Sequence, residues 1–241
     1  QTTTELKKAL MQKLFTEGLK GEPQKETEIG LVPKSWEIKK IEKFCDIRSS
    51  SILFSEINTI KAAQGKSAVR VLALKVSDMN LEGNEDEIKS AQIEFYLNES
   101  SKHIKYIIPP LALIFPKRGA AISTNKKRII LCHSILDPNL MALIPDHTCN
   151  PYYLYHYFQR FDLRTITDKG LIPQLNKKDL MPLLVPLPPR KEQDQIIENI
   201  KKLDGKKNLS VNKLKLLHTL FKSMLHHLMT GQIRVKDLRF S

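Results

Sequence analysis

The sequence predicts a mixed α/β fold, in which a globular α+β domain is followed by one long α-helix. Between Arg190 and Gly231, apolar residues recur at alternating spacings of four and three, which marks the seam of a helix that packs on another helix. Earlier in the chain, short runs rich in Val, Ile and Leu are separated by Pro and Gly, a pattern typical of strands. Asn150 and Pro151 then supply an N-cap and a first-turn proline for a helix inside the domain.

The seam of the long helix is regular except in its middle. Its apolar members are Ile196, Ile200, Leu203, Leu214, Leu217, Phe221, Met224 and Leu228. Lys207 and Ser210 occupy seam positions, and Gly205 costs ~1 kcal/mol in a helix interior, so we expect the middle to be weak. About 40 residues at ~1.5 Å each extend ~60 Å, which is too long to serve only a compact core.

A second apolar stripe lies at the amino end. Leu6, Leu10 and Leu14 predict the last turns of a helix from Thr4 to Thr16. The segment resembles the tail, because Leu6, Lys8, Leu14 and Thr16 align with Leu220, Lys222, Leu228 and Thr230. This indicates a repeated helix end at both termini; chance similarity between two Leu-rich helices is the alternative.

The stretch between these helices is expected to be the globular domain. The polar segment from Glu22 to Lys34 indicates a linker onto it, and Trp36 is expected to anchor the edge of its core rather than to bind a ligand. The expected strands are Val69 to Val76, Tyr106 to Ile108, Leu111 to Phe115, Arg128 to Leu131, Leu140 to Ile144 and Leu183 to Leu187. We expect the helix that begins at Pro151 to end near Arg160. The predicted organisation is a helix end at 1–21, the domain at 22–189, the long helix at 190–232 and a tail at 233–241.

The composition favours a polyanionic partner. The chain has 241 residues, 41% of them hydrophobic, and a formal net charge of +13, which points first to nucleic acid and second to an anionic membrane surface. No apolar run approaches the ~20 residues of a spanning helix, and no signal peptide is recognised, so a cytoplasmic protein is expected. Cys45, Cys132 and Cys149 are far apart and form no C-x-x-C, which favours buried free thiols.

The sequence offers no convincing catalytic site. It contains no G-x-G pair and no G-x-x-x-x-G-K, so neither a dinucleotide loop nor a P-loop is expected. Asn150-Pro151-Tyr152-Tyr153 is only partly similar to the signature of adenine methyltransferases, and a helix start explains it better. Asp78, Glu87 and Lys89 are faintly similar to a metal-dependent nuclease triad, but a solvated loop is favoured. The adjacent His226 and His227 are expected to be a surface pair, so no metal site is predicted.

One segment of the chain is a candidate for binding DNA. The stretch from Lys117 to Arg128 contains five basic residues and no acidic residue, with Gly119 and small polar residues that allow close approach of the backbone. Arg and Lys pair with phosphates or guanine, and Asn reads adenine. The predicted DNA contacts are Lys117, Arg118, Asn125, Lys126, Lys127 and Arg128; weaker candidates are Arg70, Lys169, Lys177 and Lys178.

The flanks of the domain resemble a known family, the specificity subunit of type I restriction-modification systems. Leu6 to Gly18 and Ile29 to Trp36 are similar to the end of the family's central helix and the start of its second target recognition domain. Leu187 to Gln193 and Leu228 to Ile233 are similar to the exit from that domain and the end of the distal conserved helix. The interior varies within the family, and only the region from Phe115 to Gly119 is familiar there.

The resemblance implies a non-catalytic DNA-recognition module. Such subunits hold two recognition domains apart with conserved helices in an antiparallel coiled coil, and each domain reads one half of a split DNA sequence. Methyltransferase subunits dock on those helices and bring S-adenosylmethionine, while the restriction subunit is expected to use ATP and Mg. This chain resembles only the second half, so a fragment, a natural half-subunit that forms a homodimer, and a cassette all stay open. Ser49 to Ser51 also depart from the family, since many relatives have a glycine-containing turn there.

Two other classes of function stay open at this point. One is a small DNA methyltransferase or nuclease that acts alone, and it predicts turnover with DNA. The other is a helical assembly protein with incidental basic charge, and it predicts partners for the tail without DNA sequence preference.

Overall fold

The computed structural model describes residues 2–49, 52, 56, 68–98, 101–167 and 173–232. They belong to two compact units, one of residues 13–196 and one of residues 1–12 with 197–241. The first unit contains the globular domain, and the described part of the second is helical. The boundaries predicted at residues 22 and 189 stay predictions.

Within the described residues, strands and helices alternate irregularly along the chain. The strands are β1 (Gln24–Thr27), β2 (Gly30–Pro33), β3 (Glu37–Lys40), β4 (Cys45–Ser49), β5 (Val69–Leu74), β6 (Glu87–Ile88), β7 (Ile93–Leu97), β8 (Leu113–Pro116), β9 (Arg128–Ile130), β10 (His133–Leu136), β11 (Leu140–Pro145) and β12 (Leu184–Leu187). The α-helices are α1 (Thr2–Thr16), α2 (Ala120–Ser123), α3 (Pro151–Phe158), α4 (Lys177–Leu180) and α5 (Arg190–Met229). The predicted α/β fold with a long final helix is confirmed; the pairing of that helix in a coiled coil stays a prediction.

Two sheets form the centre of the domain. One has the strand order β4-β11-β8-β9-β6 and the other has the order β10-β5-β7. Leu72 and Leu74 of β5 share one buried cluster with Ile114 of β8, while Val71 and Ala73 lie in a second cluster. Because both faces of β5 are buried, its sequence is an almost continuous apolar run rather than an alternating one.

Most of the predicted strands are confirmed, with their ends moved by at most two residues. The strand predicted at Tyr106 to Ile108 is wrong, because a 3-10 turn spans Ile104–Tyr106 and only Ile108 forms an isolated bridge, to Ser134. Pro109 and Pro110 follow and have no N–H to donate to a ladder.

The predicted linker at Glu22 to Lys34 is also wrong, because β1 and β2 pair there as an antiparallel hairpin. The strand β1 reads Gln-Lys-Glu-Thr and therefore lacks the apolar alternation from which a half-buried strand is predicted.

The helix α3 begins as the sequence predicts. The Asn150 side-chain oxygen accepts hydrogen bonds from the Tyr152 and Tyr153 amides at 2.8 and 3.3 Å, and Pro151 occupies the first turn. The cap satisfies amides that have no partner within the helix. Tyr153 is fully buried, and the Phe15 ring of α1 packs on it with centroids 5.0 Å apart.

The long helix α5 contains 40 residues and continues through Gly205 and Ser210. The expected weak middle therefore does not interrupt it, and the Ser210 hydroxyl donates to the Lys206 carbonyl one turn earlier at 3.0 Å. At ~1.5 Å per residue the helix is ~60 Å long. Within the described residues, no helix is long and apolar enough to cross a membrane.

The first turn of α5 is fastened to the turn after α1 by a group that we call the clamp: Gly18, Leu19, Trp36 and Glu192. The Leu19 amide donates to Glu192 Oε1 at 3.2 Å. The Lys20 ammonium lies 3.1 Å from Oε2, without the alignment of a hydrogen bond. Glu192 and Trp36 are both buried, so the expectation that Trp36 anchors the core is confirmed.

Gln193, the next residue of α5, fastens the helix to the turn before α3. Its amide nitrogen donates to the Thr148 carbonyl at 3.0 Å and to the Pro188 carbonyl at 2.9 Å. Its oxygen accepts from the Asn150 amide at 2.7 Å. Each polar atom of this buried side chain is therefore satisfied by backbone.

Candidate nucleic-acid interface

The basic segment that follows β8 is joined to a second basic segment by backbone. Arg118 forms an antiparallel bridge with Gln174, and the Leu175 amide donates to the Lys117 carbonyl at 2.9 Å. The α4 helix begins two residues after Leu175. The bridge therefore brings together two segments that carry Lys117, Arg118, Lys177 and Lys178, which we call the basic cluster.

The basic cluster brings four cationic side chains together on one part of the domain surface. Within the described residues, none of its four side chains forms an ion pair. Burial lowers the pKa of the half-buried Lys117 ammonium, and the Arg118 guanidinium lowers this pKa further, against an opposing effect of Asp137. Arg118, Lys177 and Lys178 are exposed. An anion at this surface would relieve the repulsion between Lys117 and Arg118.

The other end of the predicted contact segment turns inward. The Lys127 side chain is fully buried, and its ammonium donates to Asn125 Oδ1 and to the Phe161 carbonyl, both at 2.8 Å. Burial lowers the pKa of Lys127 to about 8, while the charge of Asp162 opposes this shift. Because it has no exposed surface, Lys127 cannot touch DNA in this arrangement.

Asn125 and Arg128 are also committed to partners within the domain. Asn125 has φ 51°; its Oδ1 accepts from the Leu163 amide at 2.9 Å, and its Nδ2 donates to the Phe161 carbonyl at 3.1 Å. Arg128 donates to the Asn84 carbonyl at 2.7 Å and to the Lys127 carbonyl at 2.8 Å. Lys126 is half-buried and contacts Asn80.

The remaining basic candidates differ in their availability. The Arg70 guanidinium donates to both carboxylate oxygens of Glu94, at 2.8 and 2.7 Å. Its charge is therefore already paired and is a poor candidate for binding a phosphate. Lys169 lies outside the described residues. Lys177 and Lys178 become stronger candidates for DNA contact, because the bridge between Arg118 and Gln174 places their segment beside Lys117. This pairing cannot be predicted from the spacing of residues in the sequence.

The two apparent catalytic motifs have structural roles. The buried Asp78 carboxylate accepts from the Lys75 amide at 2.7 Å and from the Gln92 amide at 3.1 Å. Glu87 accepts from the Tyr152 hydroxyl at 2.7 Å. Asn150 caps α3, as described above. In the part of the chain that the structure describes, no group of His, Cys, Asp and Glu could hold a metal ion.

The predicted helix-interface residues divide by burial. Leu14, Ile196 and Ile200 are buried, while Leu10, Leu203 and Leu228 are half-buried. In contrast, Leu214, Leu217, Phe221 and Met224 are 68%, 51%, 63% and 38% exposed. The side chain of Leu6 lies outside the description. These four residues, which we call the apolar stripe, form an exposed surface on α5, and the interface itself stays a prediction.

Comparison with known families decides the class of protein. The model of the family described as Type I restriction modification DNA specificity domain matches residues 33–218, more than half of the chain. The chain belongs to this family. The specificity domain predicted from the flanking motifs is confirmed, and so is the prediction of a specificity component rather than a catalytic subunit. Neither a stand-alone methyltransferase or nuclease nor a general helical assembly protein is favoured.

Two relatives of the specificity domain come from Methanocaldococcus jannaschii. The chain is 27% identical to the type I restriction enzyme MjaVIII specificity subunit, over 97% of this chain and 55% of the relative. It is 24% identical to the putative type I restriction enzyme MjaX specificity subunit, over 95% of this chain and 51% of the relative. The chain thus spans about half the length of these relatives.

Solved structures share the fold of the specificity domain and its helices. The HsdS subunit from Thermoanaerobacter tengcongensis matches with a TM-score of 0.62 at 16% identity, over 98% of this chain and 53% of that one. The type I restriction-modification S subunit from M. genitalium matches with a TM-score of 0.53 at 13% identity, over 93% of this chain and 53% of that one.

Proposed function

We propose that this chain reads one half of a bipartite DNA target and directs the methyltransferase and restriction subunits of a type I complex to it. The observation that carries the proposal is the basic cluster, whose four side chains form no ion pair within the described residues. Membership in a DNA specificity family supports duplex DNA as the polyanion.

The proposed contacts are Lys117, Arg118, Lys126, Lys177 and Lys178. The exposed Arg118 is the best candidate for base readout, because a guanidinium pairs bidentately with guanine. The lysines would hold phosphates and fix the register of the domain on the duplex.

Salt dependence tests the proposal. Duplex affinity should fall with salt: with four phosphate contacts, at a slope of about 0.9 per contact, it should drop by about 10² between 50 and 200 mM. Replacing Lys117 with alanine should reduce the slope of log K against log salt by about 0.9, the value for one phosphate contact. The measurement is fluorescence anisotropy with a mixed-sequence duplex.

Arg70→Ala is the matched control for this measurement. It removes the same charge from an exposed side chain that Glu94 already neutralises, so the slope should stay at its original value. A slope that is near zero in the parent chain, or one that changes equally in both variants, contradicts the proposal.

The apolar stripe supports a second element of the proposal. We infer that it packs against a partner helix, in the antiparallel coiled coil that the family resemblance implies, supplied by a second recognition half or by a second copy of this chain. Methyltransferase subunits would dock on these helices with S-adenosylmethionine, and the restriction subunit would bring ATP and Mg use.

Charged residues in the apolar stripe should abolish assembly without unfolding the chain. In the double variant Leu217→Lys/Phe221→Lys both side chains are solvated, so stability should change by no more than ~0.5 kcal/mol per site. Association, measured by sedimentation velocity with and without methyltransferase subunits, should be lost. The control is Lys213→Ala with Lys222→Ala on the same helix. Undiminished association of the stripe variant would exclude this surface.

A further inference from the structure

The inward-turned residues of the basic segment form a joint between three parts of the domain. Lys127 and Asn125 both donate to the carbonyl of Phe161, at 2.8 and 3.1 Å. Phe161 stands three residues beyond the end of α3. Arg128 reaches the Asn84 carbonyl at 2.7 Å. The segment is therefore fastened both to the turn after α3 and to the loop before β6.

The loop before β6 is itself held in place at this joint by the hydrogen bonds of Asn84. Asn84 is fully buried, and its Nδ2 donates to the carbonyls of Asp78 and Ser90, both at 2.9 Å. Its Oδ1 accepts from the Lys89 amide at 2.9 Å. Arg128 therefore attaches to a residue whose side chain is itself fully hydrogen-bonded within the domain.

The joint bears directly on the shape of the DNA-facing segment. Asn125 has φ 51°, a left-handed conformation in which its backbone is costly and its side chain can compensate by local hydrogen bonds. Its Oδ1 receives both the Lys127 ammonium and the Leu163 amide. The joint thus fixes the turn that carries Lys126 and closes the basic segment, which runs from Lys117 to Arg128.

We propose that Asn125, Lys127 and Arg128 are positioning residues, which hold the basic segment in the geometry needed to read bases and do not themselves contact DNA. This inference rests on the proposed function. Attraction to phosphates tolerates loose geometry, whereas base readout requires donors placed to within about 0.5 Å. Loss of the joint should therefore reduce sequence discrimination more than overall affinity.

Lys127→Met is the variant that isolates the joint. Methionine fills a similar apolar volume, and a buried ammonium is often replaced by an apolar residue without loss of folding. The two oxygens that accept from Lys127 each retain another hydrogen bond in this variant. Asn125 Oδ1 still accepts from the Leu163 amide, and the Phe161 carbonyl still accepts from Asn125 Nδ2. Asn125→Gly is the second variant; it permits the positive φ while it removes the amide.

The first measurement is selection by the full chain from duplexes that contain a randomised segment of ~10 base pairs, about one helical turn. Lys127→Met and Asn125→Gly should lower the enrichment of the preferred sequences about tenfold, the effect of one good base contact. Their salt slope should stay unchanged. Lys126→Met should do the opposite and reduce the slope by about 0.9 while enrichment is kept.

The second measurement is amide hydrogen exchange without DNA. In Lys127→Met, exchange should accelerate at residues 119–127 and 161–163, with the strands of both central sheets unchanged. Unchanged exchange in both joint variants overturns the inference whatever the DNA result, and so does full enrichment in both. If the parent chain binds DNA without sequence preference or salt dependence, the proposed function fails, and the readout role falls with it. Accelerated exchange in that case would show that the joint exists although its readout role has failed. A sequence-selective parent chain with unchanged exchange in both variants would instead mean that only the positioning role fails.

Discussion

Replacing Gly18 with alanine is expected to lower the free energy of unfolding by about 2–5 kcal/mol. Gly18 has φ +69°, and a Cβ there would lie 2.9 Å from Glu192 Oε1 and 3.0 Å from Trp36 Cζ2. The left-handed backbone costs alanine ~1–2 kcal/mol, and the overpacked clamp adds ~1–3 kcal/mol. Urea denaturation followed by tryptophan fluorescence measures the loss, since Trp36 is the one tryptophan of the chain.

Gly21→Ala is the matched control for the clamp. Gly21 has φ +60°, nearly the same backbone, yet a Cβ there would meet nothing within 4 Å. Only the conformational cost of ~1–2 kcal/mol is expected. Equal losses in the two variants would show that the contacts of Gly18 with Glu192 and Trp36 contribute nothing to stability.

Gln193→Glu should destabilise the domain by a comparable amount, ~3–5 kcal/mol at neutral pH. The amide nitrogen of Gln193 faces the carbonyls of Thr148 and Pro188 at 3.0 and 2.9 Å. A carboxylate would set an oxygen against these acceptors and would carry an unpaired charge into a buried site. Gln195→Glu, an exposed change on the same turn of α5, should stay within ~0.5 kcal/mol.

The loss in Gln193→Glu should depend on pH in a defined direction. Burial raises the pKa of the introduced carboxyl in the folded state above its unfolded value of ~4.3. The folded state then binds more protons, so stability relative to the parent chain falls as pH rises above ~4.3 and recovers below it. A difference from the parent chain that does not vary with pH would show that the carboxylate reaches solvent.

The sequence predicts best where the signal is local. The helix α5 and the Asn150 cap follow from spacings within one or two turns, and the family resemblance follows from short motifs at the flanks of the domain. The structure adds a physical reason for one of those motifs. Glu192 and Gln193 each fasten α5 to a different turn, so this motif is explained by the anchoring of the helix.

The candidate site was less predictable, because its geometry is set by distant partners. Lys126 and Lys127 are neighbours of the same residue type, yet Lys126 is half-buried near Asn80. Lys127 is fully buried and donates to the carbonyl of Phe161, 34 positions away. Composition identifies the segment, but it does not reveal which side chains turn inward. The hairpin β1–β2 was missed for a related reason, since its polar strand has no apolar periodicity.

The clamp also has a consequence for the order of folding. It joins Leu19 to Glu192, residues 173 positions apart in the chain, and closing so long a loop costs several kcal/mol of chain entropy unless intervening structure has already drawn the ends together. The hairpins and sheets should therefore form first, with the clamp absent from the transition state. Gly18→Ala should then accelerate unfolding by nearly its whole stability loss and leave the refolding rate almost unchanged.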